Sequence, residues 1–229
     1  MTLSELYTRL FAHFGPQHWW PADTPFEVVV GAVLTQNTAW RNVERAIANL
    51  KAHEALSPEA IVRAPLEELA RWIRPSGFFR QKAQRLQAVA AFVLDRGGME
   101  ALRAQAHADL PAARRAWLAI RGVGPETADS ILLYAFSAPI FVIDAYTKRI
   151  LSRLALAPAE IPYEKLQARF HAALPRVAQL FNEYHALFVA LGKTHCRPRP
   201  RCEGCPLTEA CPHFMSSQKP RGERCAPSA

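Results

Sequence analysis

Cysteine is absent from this chain until Cys196. A disulfide framework spread through the fold is therefore excluded, and the core must be held by packing. Long apolar runs are missing as well. The longest apolar-rich segments, such as Val28–Leu34, fall far short of the roughly 18 residues that a membrane-spanning helix needs, so no membrane partner is expected. The first residues carry Glu5 and no apolar core, which excludes a signal peptide and leaves a cytoplasmic address as the expectation. Acidic residues are in deficit: 20 Asp and Glu stand against 28 Lys and Arg, a formal charge of +8. A basic surface fits a polyanionic partner, nucleic acid first, and also fits a surface kept charged for solubility. Runs of alternating strand pattern and internal repeats are absent too.

Half of the 229 residues are hydrophobic, enough for one large domain or two small ones with real cores. The pattern is helical nearly throughout. Leu3, Leu6, Tyr7, Leu10, Phe11 and Phe14 recur at three- and four-residue steps, and Gly15-Pro16 stops that helix. Thr24-Pro25-Phe26-Glu27 reads as an N-cap, a proline at the first helical position and a glutamate closing a capping box. The Val28-Val29-Val30 run that follows has strand propensity, but the capping signal assigns it to a buried helix. Ser57-Pro58 starts another helix, residues 80–95 carry one apolar face, and Tyr163–Leu174 and Val177–Leu191 are amphipathic. The expectation is an all-α chain of about ten helices, with a polar tail from Ser216 onward expected to be disordered.

Four of the five cysteines, Cys196, Cys202, Cys205 and Cys211, crowd into one short segment, and Cys225 is left over. Four thiolates this close can converge on one centre. A [4Fe-4S] cluster is the favoured occupant, because zinc ribbons usually pair two knuckles across a longer spacer; zinc is the runner-up. Pro198, Pro200, Pro206 and Pro212 leave no regular core element for unliganded cysteines. Arg197, Arg199 and Arg201 sit between the first two ligands, on a loop that would offer them to phosphates.

Ala112–Ile120 reads as a helix, Gly122-Val123-Gly124 as a tight turn, and Pro125–Phe136 as a second helix. Glycines at alternate positions let several N–H groups point outward at a helix N-terminus, a geometry that binds phosphate. About twenty residues on, the apolar Phe141-Val142-Ile143 leads into Asp144 and a further helix. Asp144 is open to two readings: a plain N-cap, which is the commoner use of aspartate there, and a catalytic carboxylate.

The hairpin, Asp144 and the cysteine loop, in that order, resemble the endonuclease III superfamily of helix-hairpin-helix base-excision glycosylases, over roughly Phe26 to Cys211. The first cysteine gap is one residue shorter than the usual family pattern. The resemblance implies a two-lobed all-α fold. A six-helix barrel lobe would span 26–134, an iron–sulfur cluster lobe 1–25 with 135–215, and a tail 216–229. It implies a monomer acting on double-stranded DNA, with a damaged base flipped into a pocket at whose mouth Asp144 sits.

One departure bears on the subclass. Bifunctional members carry a lysine two residues after the hairpin's second glycine, and here that position is Glu126. A carboxylate cannot form the Schiff base of the lyase step, so the expectation is hydrolysis of the N-glycosidic bond without strand cutting, with Asp144 stabilising the oxocarbenium-like sugar and helping to position or activate water. Lys148, one helical turn beyond, either holds Asp144 ionised or contacts phosphate. Glu126 also disfavours anionic leaving groups and favours cationic bases. Trp19-Trp20-Pro21, Leu34 to Thr38, Arg74 to Phe78 and Gly124 to Asp129 are similar to the 3-methyladenine branch of the family. By that resemblance Trp19, Trp20 and Trp40 line the base pocket and Lys193 falls at a pocket wall. Tryptophans there are also ordinary packing residues. Gln36 or Asn37 on one side, and Phe78 on the other, are candidate wedges for the gap left by the flipped base. The competing readings are a bifunctional glycosylase/AP lyase on oxidised pyrimidines, and a degenerate protein that binds damaged DNA without cutting.

Overall fold

The computed structural model describes residues 1–217. Thirteen α-helices occur among them. The first nine are Leu3–Phe14 (α1), Pro25–Leu34 (α2), Trp40–Ala52 (α3), Pro58–Arg63 (α4), Leu66–Trp72 (α5), Phe79–Asp95 (α6), Gly98–Ala108 (α7), Leu110–Leu118 (α8) and Pro125–Ser130 (α9). Ala145–Arg153 (α10), Tyr163–Ala173 (α11), Ala178–Thr194 (α12) and Pro212–Ser217 (α13) complete the set. No strand occurs among the described residues. Short single turns of other pitch lie at Arg74–Ser76, Ile131–Ala135 and Thr208–Ala210. Of the expected tail, Ser216 and Ser217 end α13, and the rest, with Cys225, lies outside the described residues.

Helix α2 forms as its capping signal dictates. The Thr24 side chain accepts from the Glu27 N–H, Pro25 fills the first turn, and every residue from Phe26 to Leu34 is buried. The second half of the expected capping box is not made. The Glu27 carboxylate accepts from the Asp23 N–H at 3.1 Å and pairs with Lys51 at 3.0 Å. An opposite charge within reach outbids a neutral backbone donor for that carboxylate.

Two compact units emerge. The larger comprises His18–Val142 with Arg176–Asn182; the smaller comprises Met1–Gln17, Ile143–Pro175 and the described residues from Glu183 onward. The expected division placed residues 18–25 and 135–142 with the N-terminal helix instead. Packing explains the difference. Trp20 lies 5.0 Å from Trp40 and 5.1 Å from Tyr134 by ring centroids, and Phe141 meets Phe181 edge-on at 5.4 Å.

In the larger unit α2 runs through the centre, packed by α3, α6 and the turn at 131–135. Trp117 is fully buried between Phe92 and Phe136. The expected second hairpin helix, 125–136, changes pitch at Ile131 and continues as a π-turn to Ala135. In the smaller unit Tyr184 is the hub. It stacks on Phe188 at 4.8 Å, meets Tyr7 and Phe170 edge-on, and donates its hydroxyl to the Leu3 carbonyl at 2.7 Å.

Across the hairpin, Arg114 on α8 forks onto Asp129 on α9, with Nε–Oδ1 at 2.6 Å and Nη2–Oδ2 at 3.1 Å. Asp129 is fully buried. Removing the guanidinium takes two charge-assisted donors from a buried carboxylate, so Arg114→Met is expected to lower unfolding free energy by about 3 kcal/mol. The check is a lower urea midpoint at unchanged slope; an unchanged midpoint would show the pair to be dispensable.

Candidate active site and cysteine loop

Helix α10 starts at Asp144, and the sequence explains why. The buried extended run from Ile140 to Ile143 delivers an aspartate to the position where the helix leaves its first N–H groups unbonded. One carboxylate oxygen, Oδ1, accepts from the Thr147 N–H at 2.7 Å and from the Thr147 hydroxyl at 2.8 Å. The other, Oδ2, faces His185 Nε2 at 3.5 Å. Asp144 is therefore an N-cap and still keeps an oxygen outside the cap. Burial by itself would raise the carboxyl. The nearby His185 imidazole and the two hydrogen bonds from Thr147 outweigh it and hold the group below the usual carboxylate range.

Lys148 is not among the groups that keep Asp144 ionised. Its N–H bonds the Asp144 carbonyl at 3.1 Å, as the next helical turn requires. The capping carboxylate is turned back onto Thr147, so that role belongs to His185 and Thr147, and the phosphate reading of Lys148 is the one left. His185 gave no sequence signal, being one polar residue inside the apolar pattern of α12. Lys193 is exposed near the end of the same helix.

In the larger unit Trp19, Trp20 and Trp40 come together. Their ring centroids lie 5.0 to 5.3 Å apart, and Tyr134 closes the group against Trp20. A Cβ on Gly31 would sit 3.1 Å from the Trp20 ring, so glycine at that point of α2 is what admits the indole. The Trp20 indole N–H is buried without an acceptor among the described residues. Electron-rich faces clustered in this way suit a flat or cationic ring.

Gly122 has φ +88°, and the Val123 N–H bonds the Ile120 carbonyl at 3.0 Å, so it is not among the donors the turn can offer. Among the described residues, no acceptor meets the N–H of Gly122 or Gly124. A Cβ on Gly122 would collide with the Arg85 side chain. Gln36 is tied down beside them, with Nε2 donating to the Gly122 carbonyl at 3.2 Å and to the Thr127 hydroxyl at 2.9 Å, and Oε1 accepting from Arg85. Of the wedge candidates, Asn37 and Phe78 are exposed, and both have left-handed backbone, φ 52° and 45°. Glu126 is exposed in the first turn of α9, where a negative charge suits the helix dipole.

The four cysteines are free thiols and line one cavity with Ile150, Leu191 and Leu207. Burial first, then the neighbouring thiolates, push Cys202 and Cys205 up. Yet among the described residues no three His, Cys, Asp or Glu side chains converge closely enough to hold one metal ion. Two arginines missed by the sequence reading organise the loop. Arg149 Nε donates to the Cys196 carbonyl at 2.8 Å. Arg153 reaches the Cys196 Sγ at 3.3 Å and the carbonyls of Arg197 and Pro198 at 2.6 and 2.9 Å. The loop backbone is thus pinned while the side chains of Arg197, Arg199 and Arg201 stay exposed.

Comparison with known proteins agrees with this architecture. The HhH-GPD superfamily of base excision DNA repair proteins matches residues 30–176. A Methanocaldococcus jannaschii protein named as a DNA repair glycosylase is 44% identical over 207 residues, 90% of this chain and 94% of its own length. The structure of Helicobacter pylori 3-methyladenine DNA glycosylase bound to 1,N6-ethenoadenine aligns with a TM-score of 0.74 at 29% identity, covering 84% of this chain and 98% of that one. An endonuclease III–DNA complex aligns with a TM-score of 0.78 at 22% identity over 95% and 98% of the two chains, a likeness of fold. The expected all-α helix-hairpin-helix fold is borne out.

Two outcomes follow from the geometry. Gly122→Ala places a side chain at positive φ against Arg85 and is expected to cost about 1–3 kcal/mol in a chemical melt. Because the Asp144 carboxyl is depressed in the folded state, its ionisation contributes stability that is complete above the unfolded carboxylate value of about 3.9 and is lost as pH falls through the lower folded value. The stability difference between wild type and Asp144→Asn should therefore be flat at neutral pH and change only in strong acid; a change centred near neutrality would refute the assignment.

Proposed function

Because the chain belongs to the HhH-GPD superfamily of base excision DNA repair proteins, we propose that it is a monofunctional glycosylase that flips alkylated purines of the 3-methyladenine type out of duplex DNA and hydrolyses their N-glycosidic bond. The observation that carries the reading is the divided carboxylate of Asp144, one oxygen fixed by Thr147 and the other outside the cap, ionised across the physiological range. A carboxylate held this acidic is a weak proton acceptor and a strong negative charge. Its role is then to stabilise the cationic sugar as the bond to the base breaks, with the electron pair leaving on the base nitrogen and water adding at C1′.

An alkylated purine leaves easily because the departing electron pair neutralises its own positive charge. Little acid assistance is needed, and tight recognition of the cation suffices. The aromatic group of Trp19, Trp20, Trp40 and Tyr134 supports such recognition. Glu126 at the hairpin, in place of a lysine, supports hydrolysis without lyase chemistry. Of the solved relatives, the Helicobacter pylori enzyme, with its bound 1,N6-ethenoadenine, is the likeness that speaks for a modified adenine.

Duplex DNA would be gripped by the N–H groups of Gly122 and Gly124 and by the exposed Arg197, Arg199 and Arg201, with Lys148 as a further cationic contact and Lys193 at the pocket wall. Cys196, Cys202, Cys205 and Cys211 would hold a [4Fe-4S] cluster, whose contribution here is to cross-link the arginine loop. Zinc is the less favoured occupant, because the four cysteines share one short segment and do not form two knuckles across a longer spacer. None of the helices among the described residues is long and apolar enough to cross a membrane.

The enzyme should release base from alkylated duplex and leave an abasic strand that breaks only after hot alkali, with no covalent protein–DNA adduct after borohydride. A trapped adduct would overturn the monofunctional reading, and release from thymine-glycol DNA alone would overturn the alkylated-base reading. Asp144→Asn should lower base release at least about a hundredfold with DNA affinity nearly kept. Purified protein should be brown and carry about four iron and four sulfide per chain; zinc in their place would refute the cluster.

A further inference from the structure

Lys82 lies one turn into α6 and is 1% exposed, although lysine is a costly residue to bury. Its ammonium donates to the Leu34 carbonyl at 2.8 Å and to the Ser76 carbonyl at 2.7 Å. These carbonyls belong to different turns. Leu34 ends α2, just before the turn that exposes Asn37; Ser76 stands two residues before Phe78. Phe78 is 63% exposed, the most exposed of the large apolar side chains among the described residues. The Lys82 N–H also donates to the Phe78 carbonyl at 3.0 Å, so Lys82 holds this turn through both backbone and side chain.

Asn37 and Phe78 both have left-handed backbone, a conformation that non-glycine residues keep only where their surroundings impose it. An apolar residue at position 82 would fill the same space without bonding either carbonyl. One helical step further on, Arg85 bonds the Gln36 side chain, which in turn reaches the Gly122 carbonyl and Thr127. Two neighbouring side chains of α6 thus bind three turns of the larger unit together.

We propose that Lys82 is a positioning residue that fixes the spacing between the Asn37 turn and the Phe78 turn, so that both insert into the duplex in one register when the damaged nucleotide leaves the stack. The inference rests on the base-flipping reading above. It also accounts for the buried charge: burial, with the Arg85 guanidinium adding to it, lowers the Lys82 ammonium to about 8, a penalty that an apolar side chain would avoid.

The test uses the whole protein and a duplex carrying a tetrahydrofuran abasic analogue with 2-aminopurine opposite it. No excision is needed, and 2-aminopurine brightens when it is unstacked. Wild type should bind this duplex in preference to an undamaged one and raise the fluorescence. Lys82→Met should keep its affinity for undamaged duplex, lose about tenfold on the abasic duplex and lose the fluorescence rise, the effect expected when a wedge no longer enters the stack. Phe78→Ala should do the same, and the double variant should be no worse than the poorer single one, because both act through one insertion. If Lys82→Met does not fold, the readings are taken on Lys82→Gln, whose shorter amide cannot span both carbonyls. A folded Lys82 variant with lower melting temperature but unchanged preference and fluorescence overturns the proposal, as do additive effects in the double variant. A wild type that gives no fluorescence rise overturns the base-flipping reading and this inference with it.

Discussion

Thr147 gives both its donors to a single oxygen of Asp144, and the chemistry proposed for the smaller unit depends on that cap. The cap starts α10, fixes the direction of the carboxylate and leaves the second oxygen facing His185. An N-cap is usually a matter of helix stability worth about 1 kcal/mol. Here the same bonds orient a charge, and their donors favour the ionised form. Structural and chemical readings of Asp144 are therefore two descriptions of one interaction. His185 is itself buried, so the neighbour of the second oxygen has little freedom to move.

The larger unit solves a different problem. Its exposed turns carry residues in unfavourable backbone conformations, and such turns relax unless something holds them. Polar side chains rising from helices do the holding: Arg114 on Asp129, Lys82 on the Leu34 and Ser76 carbonyls, Arg85 and Gln36 on the hairpin. Each contact desolvates charge or dipole, so the unit spends stability on geometry. The apolar core of α2, α6 and Trp117 supplies the compensating burial.

Local chemistry made much of this legible in the sequence. Thr24, Ser57 and Asp144 announce helix starts because a capping side chain acts within three residues. The cysteine spacing and the Gly122 turn are equally local. Long-range features were not legible. Lys82 lies in a segment, Arg80 to Arg85, whose charges read as a solvated helix face, and only the carbonyls of Leu34 and Ser76, distant in sequence, reveal its burial. His185 and Arg153 depend likewise on partners about forty residues away. That Trp19 and Trp20 meet Trp40 depends on contacts about twenty residues apart, and Trp20 meets Tyr134 more than a hundred residues away, which local patterning does not encode. The pitch change at Ile131 left no mark that apolar periodicity could detect, since every turn there is buried except at Tyr134.

Helix α10 has only nine residues, Ala145–Arg153, which at the usual rise makes a rod of about 13 Å. Asp144 stands at one end. At the other, the Arg153 guanidinium is bonded to the Cys196 sulfur and to two carbonyls of the arginine loop. A rod this short bends little, so the arginine loop and the carboxylate are fastened to opposite ends of one stiff part.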